Sequence, residues 1–515
     1  MNTHPKIFTG TDDFAKLRHK SDVYVDKSLF IQEFLEKGDE AMLITRPRRW
    51  GKSLNMDMLA RFLAIEIDEQ GQALPLEKCT NRPLFLGGEV TLENGEKKQL
   101  QPLKIAQHQR LIDLYQGKSP VICLGLKNVK GYNYQEIEGK IRQVLSSLFK
   151  QHIYLINNQC ASDHEQTIFM QYLDEKASRP DLTRSLAFLS ELLHRHFQKK
   201  VYILVDEYDA PINHAYQKFR GDATAFDSVL ELFSELFSAA FKTNPYLNRG
   251  AITGILRIAK GNIFSDLNNV QEYTVLNEEF ATCYGFTQVE VDTLLTQIPA
   301  ETPAEQIKAW YNGYFFGRHQ LYNPWSIMSC LARKGKLAPY WIDSGGTSLI
   351  DDKLTEDSVQ AALQQLVQGQ TIDTPITTQI SFADLQKTSG LLSLLLFGGY
   401  LNPVRKLEDA KNPVYELSIP NHEVQYIYEL RLLDWVSQQL DIDSGGYFNF
   451  VRSLAKGQLD DFEESLQDYL HNTTSFHQTG RKTVELFYNG FMLCLISTLR
   501  TYYFIQSEQE GLKGR

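Results

Sequence analysis

The apolar and polar positions along the chain predict short buried strands that alternate with amphipathic helices. Apolar runs typical of buried strands lie at 42–45, 121–126, 201–205, 251–255 and 273–276. Apolar residues at helical spacing predict helices at 29–37, 54–67, 134–156, 182–197 and 227–242. Strands that are apolar on both faces belong in a parallel sheet with helices on each side. The pattern therefore predicts an α/β fold with a parallel sheet over residues 1–280.

Beyond residue 280 the pattern changes, and we divide the rest of the chain into a helical extension (281–370) and a C-terminal domain (371–515). The spacing of apolar residues in the extension predicts mainly helices, at 285–345 and 351–366. The C-terminal domain predicts a linker or edge strand at 371–378, strands at 385–404 and 414–419, helices at 421–440, 459–470 and 484–500, and a short strand at 502–505.

Composition narrows the class of protein. The chain of 515 residues exceeds the ~250–300 residues at which single cores stop growing. A net charge of −10 supplies no overall field for nucleic acid, so any such contact needs a local basic patch. Six scattered cysteines without a C-x-x-C spacing indicate a reducing compartment. No signal peptide or run of ~20 apolar residues is visible, so we expect a cytoplasmic protein without membrane contact.

The stretch 42–54, MLITRPRRWGKSL, combines a buried strand, a tight turn and the start of a helix. Gly51, Lys52 and Ser53 stand where the turn meets the helix. A helix N-terminus presents unpaired N–H groups and positive dipole character to a phosphate. Lys52 would add a point charge at the β- and γ-phosphates, and the Ser53 hydroxyl would ligate Mg²⁺. The stretch therefore predicts a phosphate-binding loop that continues to Leu54.

The early half of this loop departs from the usual G-x-x-x-x-G-K-[ST] pattern. Arg46 replaces the first glycine and Pro47 follows, although arginine resists positive φ and proline lacks an N–H group. The guanidinium groups of Arg46, Arg48 and Arg49 suit phosphate oxygens and would offset this loss. Trp50 is interpreted as packing the loop against the core. An ordinary strand–turn–helix with a solvated basic turn also fits these residues.

An acid pair, Asp206 and Glu207, ends the apolar run at 201–205. In additional-strand P-loop NTPases a strand next to the loop strand ends in such a pair. Ligands bind outside the carboxyl ends of parallel strands, which is where the pair would lie. Asp206 would hold Mg²⁺ and Glu207 would polarise the attacking water. The alternative is that Asp206 caps the next turn and Glu207 is a solvated loop acid; Asp209 is interpreted as structural.

The strand at 251–255 stands where a sensor strand is expected. Thr253 could hydrogen-bond the attacking water or the γ-phosphate, and Arg257 could stabilise transition-state charge. A threonine in a buried strand also serves packing alone. With the loop and the acid pair, this strand predicts a P-loop NTPase sheet in which Glu207, Lys52, Thr253 and Arg257 are catalytic.

Several motifs resemble those of the bacterial AAA-ATPase-like family. They are YVDK at 24–27, RPRRWGKSL at 46–54, VDEYDAPI at 205–212, TGI at 253–255, FSDLNN at 264–269 and WYNGY at 310–314. The resemblance implies that the Arg-Pro-Arg-Arg loop is a normal form and that ATP with Mg²⁺ is the ligand. Family members usually continue into a PD-(D/E)XK nuclease-like domain.

Residues 415–515 resemble the opening part of that nuclease-like domain, through LSIPNHEV at 417–424 and FYNGF at 487–491. The metal-binding Asp and the E-x-K motif would follow a Gly-Arg pair like the one at 514–515, so we expect no nuclease activity.

The sequence therefore predicts an ATP-binding protein, a slow ATPase that acts as a nucleotide-dependent conformational switch. Two alternatives remain: a non-catalytic interaction module on a P-loop scaffold, with a protein partner or a second copy, and a DNA-acting protein with an inactive tail.

Overall fold

The computed structural model describes residues 5–157, 161–219, 222–255, 257–258, 267–341, 357–381, 384–409, 412–440, 449–450, 452–454 and 456–472. The strands are β1 (Ala41–Thr45), β2 (Gly88–Thr91), β3 (Lys97–Leu100), β4 (Val121–Gly125), β5 (Val201–Asp206), β6 (Leu247–Gly254), β7 (Arg257–Ile258), β8 (Val270–Tyr273), β9 (Tyr314–Phe316), β10 (His319–Leu321), β11 (Ile372–Pro375), β12 (Gln379–Ile380), β13 (Asn402–Glu408) and β14 (Val414–Ser418).

The helices of the N-terminal region are α1 (Phe14–Lys20), α2 (Leu29–Glu36), α3 (Lys52–Leu63), α4 (Arg82–Leu86), α5 (Gln109–Tyr115), α6 (Tyr134–Lys150), α7 (Tyr154–Asn157), α8 (Asp163–Leu173), α9 (Arg179–Phe197), α10 (Ala210–Lys218) and α11 (Ala223–Phe241). Those that follow are α12 (Gln288–Gln297), α13 (Ala304–Tyr311), α14 (Pro324–Leu331), α15 (Asp357–Val367), α16 (Thr388–Gly398), α17 (His422–Leu440) and α18 (Leu459–Asn472).

The central feature is a five-stranded, all-parallel sheet in the order β4-β5-β6-β1-β8. Strand β1 is fully buried and β5 is buried except at its last residue, Asp206, as expected for strands covered on both faces. Helices α6, α9 and α11 pack against β4, β5 and β6, and α3 contacts the same three strands. The predicted α/β fold of the P-loop NTPase type is therefore confirmed.

The position of the acid-pair strand differs from the expected one. We expected β5 beside the loop strand β1, but β6 lies between them, with Thr45 opposite Gly254 on one side and Val205 opposite Ile252 on the other. This inserted strand is what defines the additional-strand type of sheet. Because all strands are parallel, the ends of β1, β5 and β6 still meet at one edge.

Three predicted boundaries were wrong. Helix α3 ends at Leu63 and not at residue 67, because Ala64 leaves the helix to pair with Ser119. The single helix predicted over 134–156 is divided into α6 and α7. The last strand of the sheet is Val270–Tyr273, earlier in the chain than predicted.

The prediction of strands throughout 385–404 was also wrong. The apolar run forms the buried helix α16, Thr388–Gly398, and the strand β13 begins only at Asn402. A continuous apolar run does not distinguish a buried helix from a buried strand by periodicity. The predicted edge strand is confirmed as β11, at the edge of a β11-β14-β13 sheet. The elements predicted at 484–500 and 502–505 lie outside the described residues.

Helices α12 and α14 belong to a small hydrophobic cluster of their own, which includes Val291, Leu294 and Ile327. Residues of β9 and β10, of α16 and of α17 instead join the large cluster that contains β1 and β5. The proposed boundaries at 280 and 370 stay predictions. Over the described ranges, the structure contains no helix with the length and apolarity needed to span a membrane.

Candidate functional site

The loop between β1 and α3, residues 46–51, has the backbone of a tight turn. Arg46 N–H donates to the Gly254 carbonyl at 3.1 Å, which extends the β1–β6 ladder by one bond. Arg49 has φ 64° and Gly51, the residue before the helix, has φ 79°. Glycine adopts positive φ without steric cost, which suits Gly51. Arginine does not, so Arg49 carries backbone strain of a kind found at functional sites.

Lys52 is the first residue of α3, and its side chain folds back over the loop. It is 7% exposed, and Nζ donates to the carbonyl oxygens of Arg46 at 2.9 Å and Pro47 at 2.8 Å. Burial lowers the pKa of Lys52, while the nearby carboxylates of Asp209, Asp206 and Glu207 act to raise it. The ammonium therefore lies between its own loop and the acidic segment after β5.

Arg46 does not present its guanidinium to the cavity as expected. The side chain is fully buried and donates to the carbonyl oxygens of Thr45 at 2.8 Å, Tyr273 at 3.0 Å and Glu279 at 3.2 Å. Burial lowers its pKa to about 10. The guanidinium also lies 5.2 Å from the ring centroid of Tyr284. Arg46 thus ties the loop to the end of β8, and the expectation that it offsets the missing glycine by binding phosphate was wrong.

The other loop residues divide between the cavity and the supporting structure. The Arg49 guanidinium lies 4.4 Å from the Trp325 ring centroid, so it stacks on the helical extension. Trp50 is 1% exposed and packs against Tyr314 and Phe316, at centroid distances of 4.9 Å and 4.5 Å. The interpretation of Trp50 as a packing residue is confirmed.

Two contacts connect the loop with distant parts of the chain. Trp341 Nε1 donates to the Arg48 carbonyl at 3.1 Å. Gly399 lies so close to Pro47 that a Cβ there would be 2.9 Å from Pro47 Cβ. The loop is therefore held from outside the sheet as well as by its own turn.

The acid pair lies at the carboxyl end of β5, as predicted. Thr253 Oγ1 donates a hydrogen bond to Asp206 Oδ1, and Glu207 N–H donates to Thr253 Oγ1 at 3.4 Å. The Thr253 hydroxyl thus holds Asp206, a role the sequence reasoning missed, and its proton is not directed at a ligand. Glu207 has φ 53°, and burial raises its pKa, with Asp206 adding to the increase and Lys52 and Lys127 opposing it.

Asp209 is closer to the site than sequence reasoning placed it. It is 3% exposed, its Oδ2 accepts from Ile255 N–H at 2.9 Å, and its carboxylate acts on the Lys52 ammonium. Burial raises the pKa of Asp209. A Cβ at Gly254 would lie 2.6 Å from the Tyr208 ring, so this glycine lets the acidic segment close over β6. The VDEYDAPI motif was the available signal.

One cavity of about 640 Å³ is lined by residues 48–54 of the loop together with Glu207 and Asp209, and its volume is within the size range of small-molecule sites. The apolar part of its lining includes Phe8, Val25, Phe286, Pro324, Trp325 and Met328. The polar part of its lining includes Lys127, Lys130, Asn213, His214 and Gln217. Neither part was predicted, because both are built from elements distant in sequence.

The donor atoms available for a magnesium ion are oxygens, which this ion prefers. The Ser53 hydroxyl and the second Asp206 oxygen, Oδ2, have no hydrogen-bond partner among the described residues. No group of three His, Cys, Asp or Glu side chains that could hold a metal occurs in the described part of the chain. Magnesium in phosphate-loop sites takes only one or two protein ligands, so the pair Ser53 and Asp206 fits that chemistry.

Two predicted site residues remain. Leu54 lies in the first turn of α3 and lines the cavity. Arg257 begins the short strand β7, which pairs with β12, and its side chain is outside what the structure describes. Its catalytic role stays a prediction.

The sheet order, the lysine loop and the acid pair place the chain among P-loop NTPase-like proteins. A family model described as Predicted AAA-ATPase (AAA-ATPase-like) matches residues 8–75 and 89–264. The N-terminal part of the chain is therefore similar to this family, whose description implies nucleotide binding. An uncharacterized protein encoded in the vnfD 5′ region of Azotobacter chroococcum mcd 1 is 26% identical over 422 residues, which cover 82% of this chain and 68% of that protein.

Proposed function

We propose that the protein binds ATP with Mg²⁺ in this cavity, hydrolyses it slowly and uses the change as a conformational switch. The observation that carries the proposal is that Lys52, Glu207 and Asp209 line one cavity, with Asp206 at the end of β5 directly before Glu207. A cation on a helix N-terminus, opposed by carboxylates at a strand end of the same sheet edge, is the arrangement that phosphoryl transfer requires.

The loop would hold the phosphates. The N–H groups at the start of α3 are unpaired within the helix and suit phosphate oxygens. Lys52 would exchange its present acceptors, the carbonyls of Arg46 and Pro47, for β- and γ-phosphate oxygens. The apolar part of the cavity lining, which includes Trp325 and Phe286, would receive the base.

The acidic residues at the end of β5, Asp206 and Glu207, would hold the metal ion and orient the attacking water. Ser53 and Asp206 would hold Mg²⁺, which when bound neutralises charge on the phosphates. Thr253 holds one Asp206 oxygen in place, and the other oxygen would be the one that ligates the metal ion. The Glu207 carboxylate would orient and polarise the attacking water, and its raised pKa makes it a stronger base than an exposed glutamate.

The switch would act through the contacts that hold the loop from outside the sheet. A phosphate bound at the loop would press on the Trp341–Arg48 hydrogen bond and on the Pro47–Gly399 contact. Trp341 and Gly399 belong to the C-terminal half of the chain, so a nucleotide-dependent shift of the loop would be transmitted there.

Titration calorimetry with MgATP and an assay of phosphate release test the proposal. Lys52→Ala should abolish binding, whereas Glu207→Gln should bind ATP with at most threefold change and lose turnover. Lys140→Ala, an exposed change on α6, is the control and should behave like the wild type. A wild-type protein that neither binds nor hydrolyses ATP refutes the proposal. Binding without turnover would favour the non-catalytic interaction module.

A further inference from the structure

Lys127 lies two residues after the end of β4, and β4 lies on the other side of β5 from the loop strand β1. Strand β4 pairs in parallel with β5 so that Gly125 lies opposite Asp206. Leu126 N–H then donates to the Asp206 carbonyl at 3.0 Å, one residue beyond the ladder. Lys127 and Glu207 are the residues that follow this hydrogen-bonded pair, so they lie at the same edge of the sheet, and both line the cavity.

A tight turn fixes the Lys127 backbone. Val129 N–H donates to the Leu126 carbonyl at 3.1 Å, and both of these residues are fully buried. Lys127 is exposed between the two buried anchors. The turn thus holds the Lys127 Cα in one place while its side chain extends into the cavity, which it lines together with Lys52 and Glu207.

The Lys127 ammonium has no ion pair or hydrogen bond with any residue that the structure describes. Lys127 follows the strand that pairs with β5, and it lines the same cavity as Glu207. Lys130, three residues later, also lines this cavity, but it precedes Gly131, whose carbonyl is in contact with His214 Nε2 at 3.1 Å. The cavity lining therefore includes two lysines with different neighbours, and Lys127 is the one nearer in the chain to the strand end beside the proposed water-orienting carboxylate.

We propose that Lys127 is a catalytic residue of this ATPase site and supplies, from within the same chain, the positive charge that an arginine finger supplies in other NTPases. This inference rests on the proposed function. The bond between the γ-phosphorus and the bridging oxygen of ADP breaks, ADP leaves with the electron pair, and a bond forms from water to the γ-phosphorus. During this step negative charge spreads over the γ-phosphoryl oxygens. Lys52 meets that charge from the loop, and Lys127 meets it from the end of β4. The water proton passes to Glu207, and Lys127 keeps its own proton throughout.

The experiment compares Lys127→Met with the wild type in two measurements. In the first, phosphate release should fall about 100-fold or more in kcat while KM for MgATP changes less than threefold, since loss of one electrostatic group typically costs about 10²–10³ in kcat. In the second, affinity for ADP with aluminium fluoride should fall by a similar factor while affinity for ADP alone is unchanged. Lys127→Arg should restore most of both properties.

Two further variants separate this role from general attraction of anions. Lys130→Met removes the same charge from the lining of the same cavity, but next to the contact between Gly131 and His214, so it should raise KM with little change in kcat. Lys140→Met, on the exposed face of α6, is the surface control.

Equal losses from Lys127→Met and Lys130→Met, or a Lys127→Met protein with unchanged kcat and unchanged affinity for the aluminium fluoride complex, would overturn the assignment. Both outcomes leave the ATPase proposal intact. A wild-type protein without ATP turnover would overturn both.

Discussion

The most specific stability prediction concerns Glu423, a buried carboxyl near the start of α17. Its Oε1 accepts from Trp341 N–H at 2.9 Å and its Oε2 accepts from the Ser326 hydroxyl at 2.7 Å. The side chain is 0% exposed, and no cation pairs with it among the described residues. Burial raises its pKa from 4.5 to about 7. The perturbation is Glu423→Gln, which keeps the shape and one carbonyl acceptor and cannot ionise.

The sign of the effect follows from proton binding. Below pH 4.5 the carboxyl is protonated in both the folded and the unfolded chain. Between pH 4.5 and 7 the unfolded chain releases the proton first, so folding becomes less favourable as the pH rises, and above pH 7 the loss is complete. A pKa difference between 4.5 and about 7 corresponds to about 3 kcal/mol, of which about 2.5 kcal/mol falls between pH 5 and pH 8.

The assay is urea unfolding at pH 5, 6, 7 and 8, followed by tryptophan fluorescence because Trp341 adjoins the carboxyl. The stability of Glu423→Gln relative to the wild type should increase by about 2.5 kcal/mol from pH 5 to pH 8. Glu464→Gln, an exposed change on α18, should show no such trend. A relative stability of Glu423→Gln that stays constant across this pH range would refute the reasoning.

Three further predictions test the loop and its supports. Arg46→Met should lower the free energy of unfolding by about 2 kcal/mol, because three carbonyl oxygens lose their hydrogen-bond donor. The ATP affinity of the folded variant, measured by calorimetry, should stay within threefold of the wild type. A specific loss of affinity would show that Arg46 does bind phosphate. Thr253→Val should raise the Mg²⁺ concentration needed for half-maximal ATP binding, because Asp206 loses its hydrogen bond. Thr253→Ser keeps a hydroxyl and should return this Mg²⁺ concentration to the wild-type value. Identical behaviour of both variants would contradict the role of Thr253 in holding Asp206. Gly285→Ala should lower the midpoint of thermal unfolding by several degrees, because φ is +86° and the new Cβ would lie 2.5 Å from the Trp50 ring. The control is Gly139→Ala on α6, where no atom lies within 4 Å of the new Cβ, and its midpoint should equal or exceed that of the wild type. Equal midpoints for the two variants would disprove the clash.

The sequence was informative where function depends on local spacing. The strand, the turn and Gly51-Lys52-Ser53 are contiguous, so the loop and helix α3 could be predicted from them. The apolar run 201–205 likewise identified β5 and its terminal acids. Local patterns of this kind report the backbone and the face of an element directly.

The sequence was uninformative where function depends on distant partners. The charge of Arg46 suggested phosphate, but its acceptors are carbonyls of Tyr273 and Glu279, more than 200 positions away. Trp325 on α14 and Lys127 in the turn after β4 both line the cavity, and no spacing rule connects them with Lys52. The run at 388–398 was misassigned because a helix buried on all sides has no polar face to reveal its period.

The supports of the loop have a practical consequence for work with fragments. The family match ends at residue 264, yet Arg46 depends on the Glu279 carbonyl, Trp50 on Tyr314, and Arg48 on Trp341. A fragment that ends at residue 264 would expose the Trp50 indole to solvent and would leave the buried Arg46 guanidinium without its Glu279 acceptor. We therefore expect the part that matches the family model to be a poor stand-alone unit, and crystallisation or enzymology should begin with a chain that keeps residues to at least 440.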